Sequence, residues 1–169
     1  MNKSIFLIGF MGVGKSSTGK KLANKLNVPF KDTDVILEQK FGEPIADYFA
    51  KNGEKAFRVE EKTLLLQNDF GNAVVATGGG LPCFYDNMEV LNEKGITIFL
   101  DRPAKELQQR LINAKKKRPL IKELNDGELL DYVTTQLKVR LPFYQKATII
   151  LDRNQQSVEE IIARISNIK

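Results

Sequence analysis

The stretch Gly9-Phe10-Met11-Gly12-Val13-Gly14-Lys15-Ser16 constrains this chain more than any other. It satisfies the spacing G-x-x-x-x-G-K-[ST] in full and follows the apolar run Ser4 to Ile8 directly. Glycines at these positions let successive backbone N–H groups turn inward onto an anion, and the helix that follows adds its positive end. The pattern therefore predicts a strand, a phosphate-holding turn and a helix from about Lys15 to Leu26. Lys15 is placed to reach the β- and γ-phosphates of a nucleotide, and the Ser16 hydroxyl to ligate Mg²⁺. Gly12, Val13, Gly14, Lys15, Ser16 and Ser17 are the expected nucleotide-binding residues. The plain alternative, a glycine-rich turn carrying Lys-Ser by chance, is disfavoured because both motif and context are complete.

The rest of the chain alternates strand and helix. Pro29 and Phe30 lead a short strand into Asp32-Thr33-Asp34. Two short helices are expected over Val35 to Phe41 and Ile45 to Lys51, then a longer one after Gly53 carrying Phe57, Arg58, Glu61, Leu64 and Leu65. Ala73 to Ala76 reads as a strand ending in Thr77-Gly78-Gly79-Gly80. A helix near Asp86 to Glu93, a strand over Ile96 to Leu100 and a helix from Pro103 to about Asn113 follow. Ala114 to Ile121 is basic and broken by Pro119, and reads as an exposed loop. A helix from about Asp126 to Lys138 or beyond, a strand over Thr148 to Leu151 and a helix from Ser157 close the chain. Five strands alternating with helices predict one α/β domain over residues 1–169, with a parallel sheet covered on both faces.

Composition excludes several functions. The chain has 169 residues, 42% hydrophobic and 28% charged, as expected of an ordinary globular domain. With no histidine, a histidine general base is excluded, and the single cysteine, Cys83, forms no internal disulfide. No Cys/His cluster suits zinc. No signal-peptide pattern and no apolar run of spanning length are present, so the expectation is a cytoplasmic protein with no membrane partner. The net charge of +5 suits an anionic ligand, but the basic residues are dispersed and no RNA-binding signature appears, so no nucleic-acid partner is expected.

The phosphate loop does not name the acceptor. No Asn-Lys-x-Asp element for reading guanine is present. The strand Ala73 to Ala76 ends in Thr77 and glycines rather than an acidic residue, which argues against motor-type ATPases and leaves small-molecule kinases. Asp32-Thr33-Asp34 should lie at the C-terminal edge of the sheet, where open α/β folds bind ligands. There one carboxylate could support Mg²⁺ and the other hold an acceptor hydroxyl. Asp34 also suits a helix N-cap. The glycine triplet fits either a flexible loop or a backbone passing close to a ligand. Arg58 and Arg140 are candidates for gripping an acid, because guanidinium forks match carboxylates.

Taken in order, these motifs resemble the shikimate kinase family across nearly the whole chain. Phe57-Arg58-x-x-Glu61 is similar to its substrate-binding helix, Thr77 to Gly80 to its glycine loop, and Arg140-x-Pro142-x-Tyr144 to its late arginine motif. Lys117-Arg118-Pro119-Leu120 resembles its lid, with Ile121 departing mildly from the usual pattern. The resemblance implies a three-layer P-loop kinase fold with strand order 2-3-1-4-5, working as a monomer. It implies a substrate-binding region at about 32–61 and a lid at about 112–124. It also implies Mg²⁺ with ATP as co-substrate, shikimate as acceptor and shikimate 3-phosphate as product, in aromatic amino-acid biosynthesis. By this resemblance Lys15, Asp34 and Arg118 are catalytic, and Ser16 and Asp32 hold the metal. Arg58 and Arg140 take the carboxylate. Asp34 and the Gly78-Gly79-Gly80 loop take hydroxyls, and Ile45, Phe49 and Phe57 pack on the ring. Arg118 meets the phosphates, and Arg110 and Arg153 flank the adenine. Other small kinases of the same fold, or a nucleotide sensor without phosphotransfer, are the competing readings.

Overall fold

Strand β1 (Ser4–Ile8) is buried along its whole length. Successive side chains of a strand point to opposite faces, so Ile5 and Leu7 enter one core while Phe6 and Ile8 enter another. This strand is the centre of a sheet with layers on both sides. The structure is a computed structural model and describes residues 3–113, 121 and 123–168. Among these, β2 (Phe30–Asp32), β3 (Val74–Ala76), β4 (Gly95–Leu100) and β5 (Ile149–Leu151) join β1 in a five-stranded sheet of order β2-β3-β1-β4-β5. Every pairing is parallel.

On one face pack α1 (Lys15–Leu26), α5 (Ala104–Ile112), α7 (Val158–Ser166) and the first half of α6 (Asp126–Tyr144), through residues such as Leu22, Leu107, Ile161 and Leu129. On the other pack α2 (Thr33–Phe41), α3 (Ile45–Gln67) and α4 (Asn87–Lys94), through Leu37, Leu65 and Met88. Helix α6 gives Val133 to the first core and Tyr144 to the second. It thus passes from one face to the other beside the loop after β3, where the Tyr144 hydroxyl donates to Gly79 O. No helix among the described residues is long and apolar enough to cross a membrane.

Two local expectations are corrected, the start of α2 and the exposure of Ile121, and two others, the break at Gly53 and the extent of α6, are made definite. Helix α2 starts at Thr33 rather than Val35, and its cap is Asp32, whose Oδ1 accepts from the Asp34 N–H at 3.1 Å. An aspartate two positions earlier serves the cap as well, and this leaves Asp34 in the first turn, where a carboxylate also suits the helix dipole. Ile45–Gln67 runs as one element kinked at Gly53 (φ 80°, ψ 170°), a left-handed conformation that glycine tolerates. Helix α6 carries Pro142 inside it and continues to Tyr144, so Arg140 and Tyr144 lie one turn apart on one helix. Ile121, expected in an exposed loop, is fully buried in the first core. The remainder of the expected lid, including Lys117, Arg118, Pro119 and Leu120, lies outside the described residues.

Candidate active site

Parallel pairing sets the site. Asp32 is in register with Ala76, and Ala76 with Leu7, so β2, β3 and β1 end at one level. The segments at their ends, Asp32–Asp34, Thr77–Gly80 and Gly9–Gly14, therefore meet at the C-terminal edge of the sheet. They line a cleft of about 250 Å³ that includes Gly12, Lys15, Ser17, Asp34 and Gly79.

The loop after β1 has the backbone its glycines were expected to supply. Gly9, Gly12 and Gly14 all have positive φ, and a Cβ on Gly9 would stand 2.8 Å from the Leu100 carbonyl oxygen. Gly14 caps α1 without any side-chain hydrogen bond, leaving the first-turn amides to an anion. Lys15 is buried, and its Nζ donates to the carbonyls of Gly9 at 2.7 Å and Phe10 at 3.0 Å. Ser16 Oγ donates to Asp32 Oδ2 at 2.7 Å. Val13 turns its side chain into the core, so only its backbone faces the cleft side of the loop.

Arg110 donates from Nε to Gly12 O at 2.7 Å. Arg153 pairs with Glu106 at 2.8 Å, and Glu106 lies one turn before Arg110 on α5. Of the two arginines expected around the base, Arg110 lies on α5 and Arg153, from the turn after β5, is tied to the same helix through Glu106.

The glycine triplet is buried or half-buried, and crowding rather than unusual φ explains it. A Cβ on Gly78 would lie 2.7 Å from Asp34 Oδ1 and 3.2 Å from Glu61 Oε1. On Gly79 it would lie 3.2 Å from Met11 N and 3.7 Å from Arg140 Nη1, and on Gly80 2.7 Å from Arg58 Nη1. Asp34, Arg58, Arg140 and the phosphate loop all converge on three residues of backbone. The Gly78 N–H is anchored on Thr33 Oγ1 at 2.9 Å, which removes the flexible-loop reading.

Arg58 is 8% exposed. Its Nη1 donates to Glu61 Oε2 at 2.7 Å, and its Nε and Nη2 donate to Glu54 Oε1 at 3.2 and 3.0 Å. Its guanidinium carbon stands 4.1 Å from the centroid of Phe84 and 5.4 Å from that of Phe57. Arg140 lies over the ring of Phe10 at 5.2 Å. Glu61 is 1% exposed. Burial pushes its carboxyl up to about 7, with Asp34 adding to the rise and Arg58 and Arg140 opposing it. Burial raises the Cys83 thiol to about 11 and pushes the Tyr144 phenol up as well. Phe57 belongs to the core and backs Phe49 at 5.3 Å, so Phe49 and Ile45 present the more open apolar surface.

Among the described residues no group of three or more His, Cys, Asp or Glu could hold a metal alone. A hydroxyl and a carboxylate beside a phosphate loop do suit Mg²⁺, which keeps waters and borrows phosphate oxygens.

A family model described as shikimate kinase matches residues 11–168. The chain belongs to the shikimate kinase family. A shikimate kinase of Bacteroides fragilis is 45% identical over 147 residues, covering 86% of this chain and 82% of that one. The solved shikimate kinase of Bacteroides thetaiotaomicron is similar with a TM-score of 0.90 at 39% identity, over 99% of this chain and 98% of that one. The shikimate kinase of Acinetobacter baumannii, solved in complex with shikimate, gives 0.83 at 33% identity, over 99% and 96%.

Several residues of this shikimate kinase family site were not singled out from sequence. Thr33, Glu61 and Tyr144 stand inside the recognised motifs, so their spacing was the available signal. Phe84 follows the glycine loop with no motif to mark it.

Proposed function

We infer that this family member transfers the γ-phosphoryl group of ATP to the 3-hydroxyl of shikimate, releasing ADP and shikimate 3-phosphate. The observation that carries this reading is the convergence of two arginines and Asp34 on the glycine triplet beside the phosphate loop. A carboxylate held by Arg58 and Arg140 fixes the ring, and Asp34 with a glycine-loop amide, best Gly79, holds the hydroxyls. The aimed hydroxyl oxygen then forms a bond to the γ-phosphorus as the bond to the β–γ bridging oxygen breaks. Ser16 and Asp32 would hold Mg²⁺, which when bound neutralises charge on the phosphates. Lys15 stabilises the same charge from the loop, and Arg118 would join it from a lid at about 112–124. Asp34 orients the hydroxyl and is the carboxylate assigned to receive its proton. The region at about 32–61 forms the acceptor side of a single domain that acts as a cytoplasmic monomer, without nucleic-acid or membrane partners.

A coupled ADP-release assay with shikimate, its methyl ester and gluconate tests this. Turnover with shikimate that falls about thirtyfold or more with the uncharged ester is expected, as loss of a buried charged partner costs roughly 2–5 kcal/mol. Efficient phosphorylation of the ester refutes the carboxylate clamp, and a preference for gluconate, itself a carboxylate, refutes shikimate as the acceptor.

A further inference from the structure

We propose that Phe84 is a positioning residue for the acceptor: its ring carries the Arg58 guanidinium and so sets the angle at which that group meets the substrate carboxylate. This rests on the acceptor reading above.

A guanidinium offers two kinds of surface, a flat face and an edge of N–H donors. In this site they are divided. Glu61 and Glu54 take donors on the edge, while the guanidinium carbon stands over Phe84 at 4.1 Å from the ring centroid, a separation that suits the flat face against the ring. Phe57, the other ring beside it, is farther away at 5.4 Å and is committed to the core. Carboxylates constrain an arginine within its plane but leave it free to tip out of that plane. A ring against the face removes that freedom, and in a desolvated setting the attraction is stronger than at an open surface.

The backbone that carries the ring is well tied. Phe84 follows a short 3₁₀ turn, Leu81–Cys83, that continues from the glycine triplet. Cys83 N–H donates to Gly80 O at 2.9 Å and Asn87 N–H to Phe84 O at 3.2 Å. The buried Asn87 side chain donates to Leu81 O at 2.8 Å. Tyr85 turns the chain with a φ of 52°, and the ion pair of Asp86 with Lys62 ties the turn to α3, the helix that carries Arg58. Platform and arginine are therefore fastened to each other at both ends. An arginine held in its binding orientation before the substrate arrives spares the ordering cost at binding.

The test is steady-state kinetics and thermal melting of Phe84→Ala, Phe84→Leu and Phe84→Tyr. For Phe84→Ala the KM for shikimate should rise roughly three- to thirtyfold, with kcat and the KM for ATP within about twofold of the parent. Phe84→Tyr should restore the parent KM, whereas Phe84→Leu, which fills space without a π face, should stay at least threefold higher than Phe84→Tyr. Equality of the Leu and Tyr variants overturns the proposal, and that comparison remains decisive if the alanine variant fails to fold. A parallel rise in the KM for ATP also overturns it, by showing a general loosening of the fold. A parent enzyme that uses shikimate while all three variants match it overturns this inference alone. A parent with no shikimate-dependent turnover overturns the proposed function and this inference together.

Discussion

Replacing Glu61 by glutamine should remove the loss of stability that this carboxyl causes as the pH rises from about 4.5 to about 7. Glu61 sits 1% exposed, with one oxygen on Arg58 and the other close to Gly78 and Asp34. Burial lifts its carboxyl from 4.5 to about 7, and the attraction of Arg58 and Arg140 only partly offsets this. Between those two values the folded state keeps a proton that the unfolded state has released. Raising the pH across that window therefore favours unfolding, and the loss is complete above about pH 7. At about 1.4 kcal/mol per pH unit the full effect is roughly 3 kcal/mol. For a chain of this length that corresponds to a fall in Tm of about 6–12 °C. Glutamine keeps the shape and an acceptor for Arg58 but has no proton to exchange. Calorimetric melts of both proteins at half-unit steps would measure the difference between their slopes, which cancels the titration shared by other groups, such as Asp101, whose carboxyl burial also raises. Identical slopes would refute the reasoning and show that Glu61 stays ionised throughout as an ordinary partner of Arg58.

Gly80→Ala should push the Arg58 fork aside, because the new methyl would lie 2.7–2.8 Å from both of its terminal nitrogens; kcat/KM for shikimate should fall at least about tenfold with ATP affinity retained, as read by initial rates and nucleotide titration. Ser16→Ala and Asp32→Asn should each raise the Mg²⁺ concentration needed for half-maximal turnover by about tenfold, measured by metal titration at fixed ATP. Tyr144→Phe removes the donor to Gly79 O and should cost about 0.5–1.5 kcal/mol in urea unfolding, because a part-buried carbonyl loses its protein partner.

The phosphate loop was legible in the sequence because everything it needs is local. Strand, glycines, lysine and helix start lie within a few residues, and the positive φ values of Gly9, Gly12 and Gly14 follow from the residue type. The alternation of Ile5, Phe6, Leu7 and Ile8 between two cores was likewise implied by an all-apolar run of strand length. Boundaries were less legible. Asp34 is the cap read from sequence, but the role fell to Asp32, which both accepts the Asp34 N–H and meets Ser16 Oγ. Ile121 looked exposed beside five basic residues, yet it fills the core between sheet and helices.

The acceptor pocket belongs to tertiary structure. Sequence marked Arg58 and Arg140 as candidates and the family motifs put them in order, but a surface arginine and a buried one read alike in a one-dimensional string. Only the parallel sheet, by ending three strands at one level, and α6, by passing between its faces, bring both arginines to Gly78–Gly80. The bond from Tyr144 to a carbonyl 65 residues away and the packing of Arg58 on Phe84 have no local signature. The same is true of the Glu61 carboxyl, whose displacement to about 7 comes from neighbours that meet it only after folding. Local geometry and residue type are written along the chain, so the sequence determined the phosphate loop and the layering. Charge, desolvation and crowding at the acceptor depend on distances through space, and those were decided by the fold.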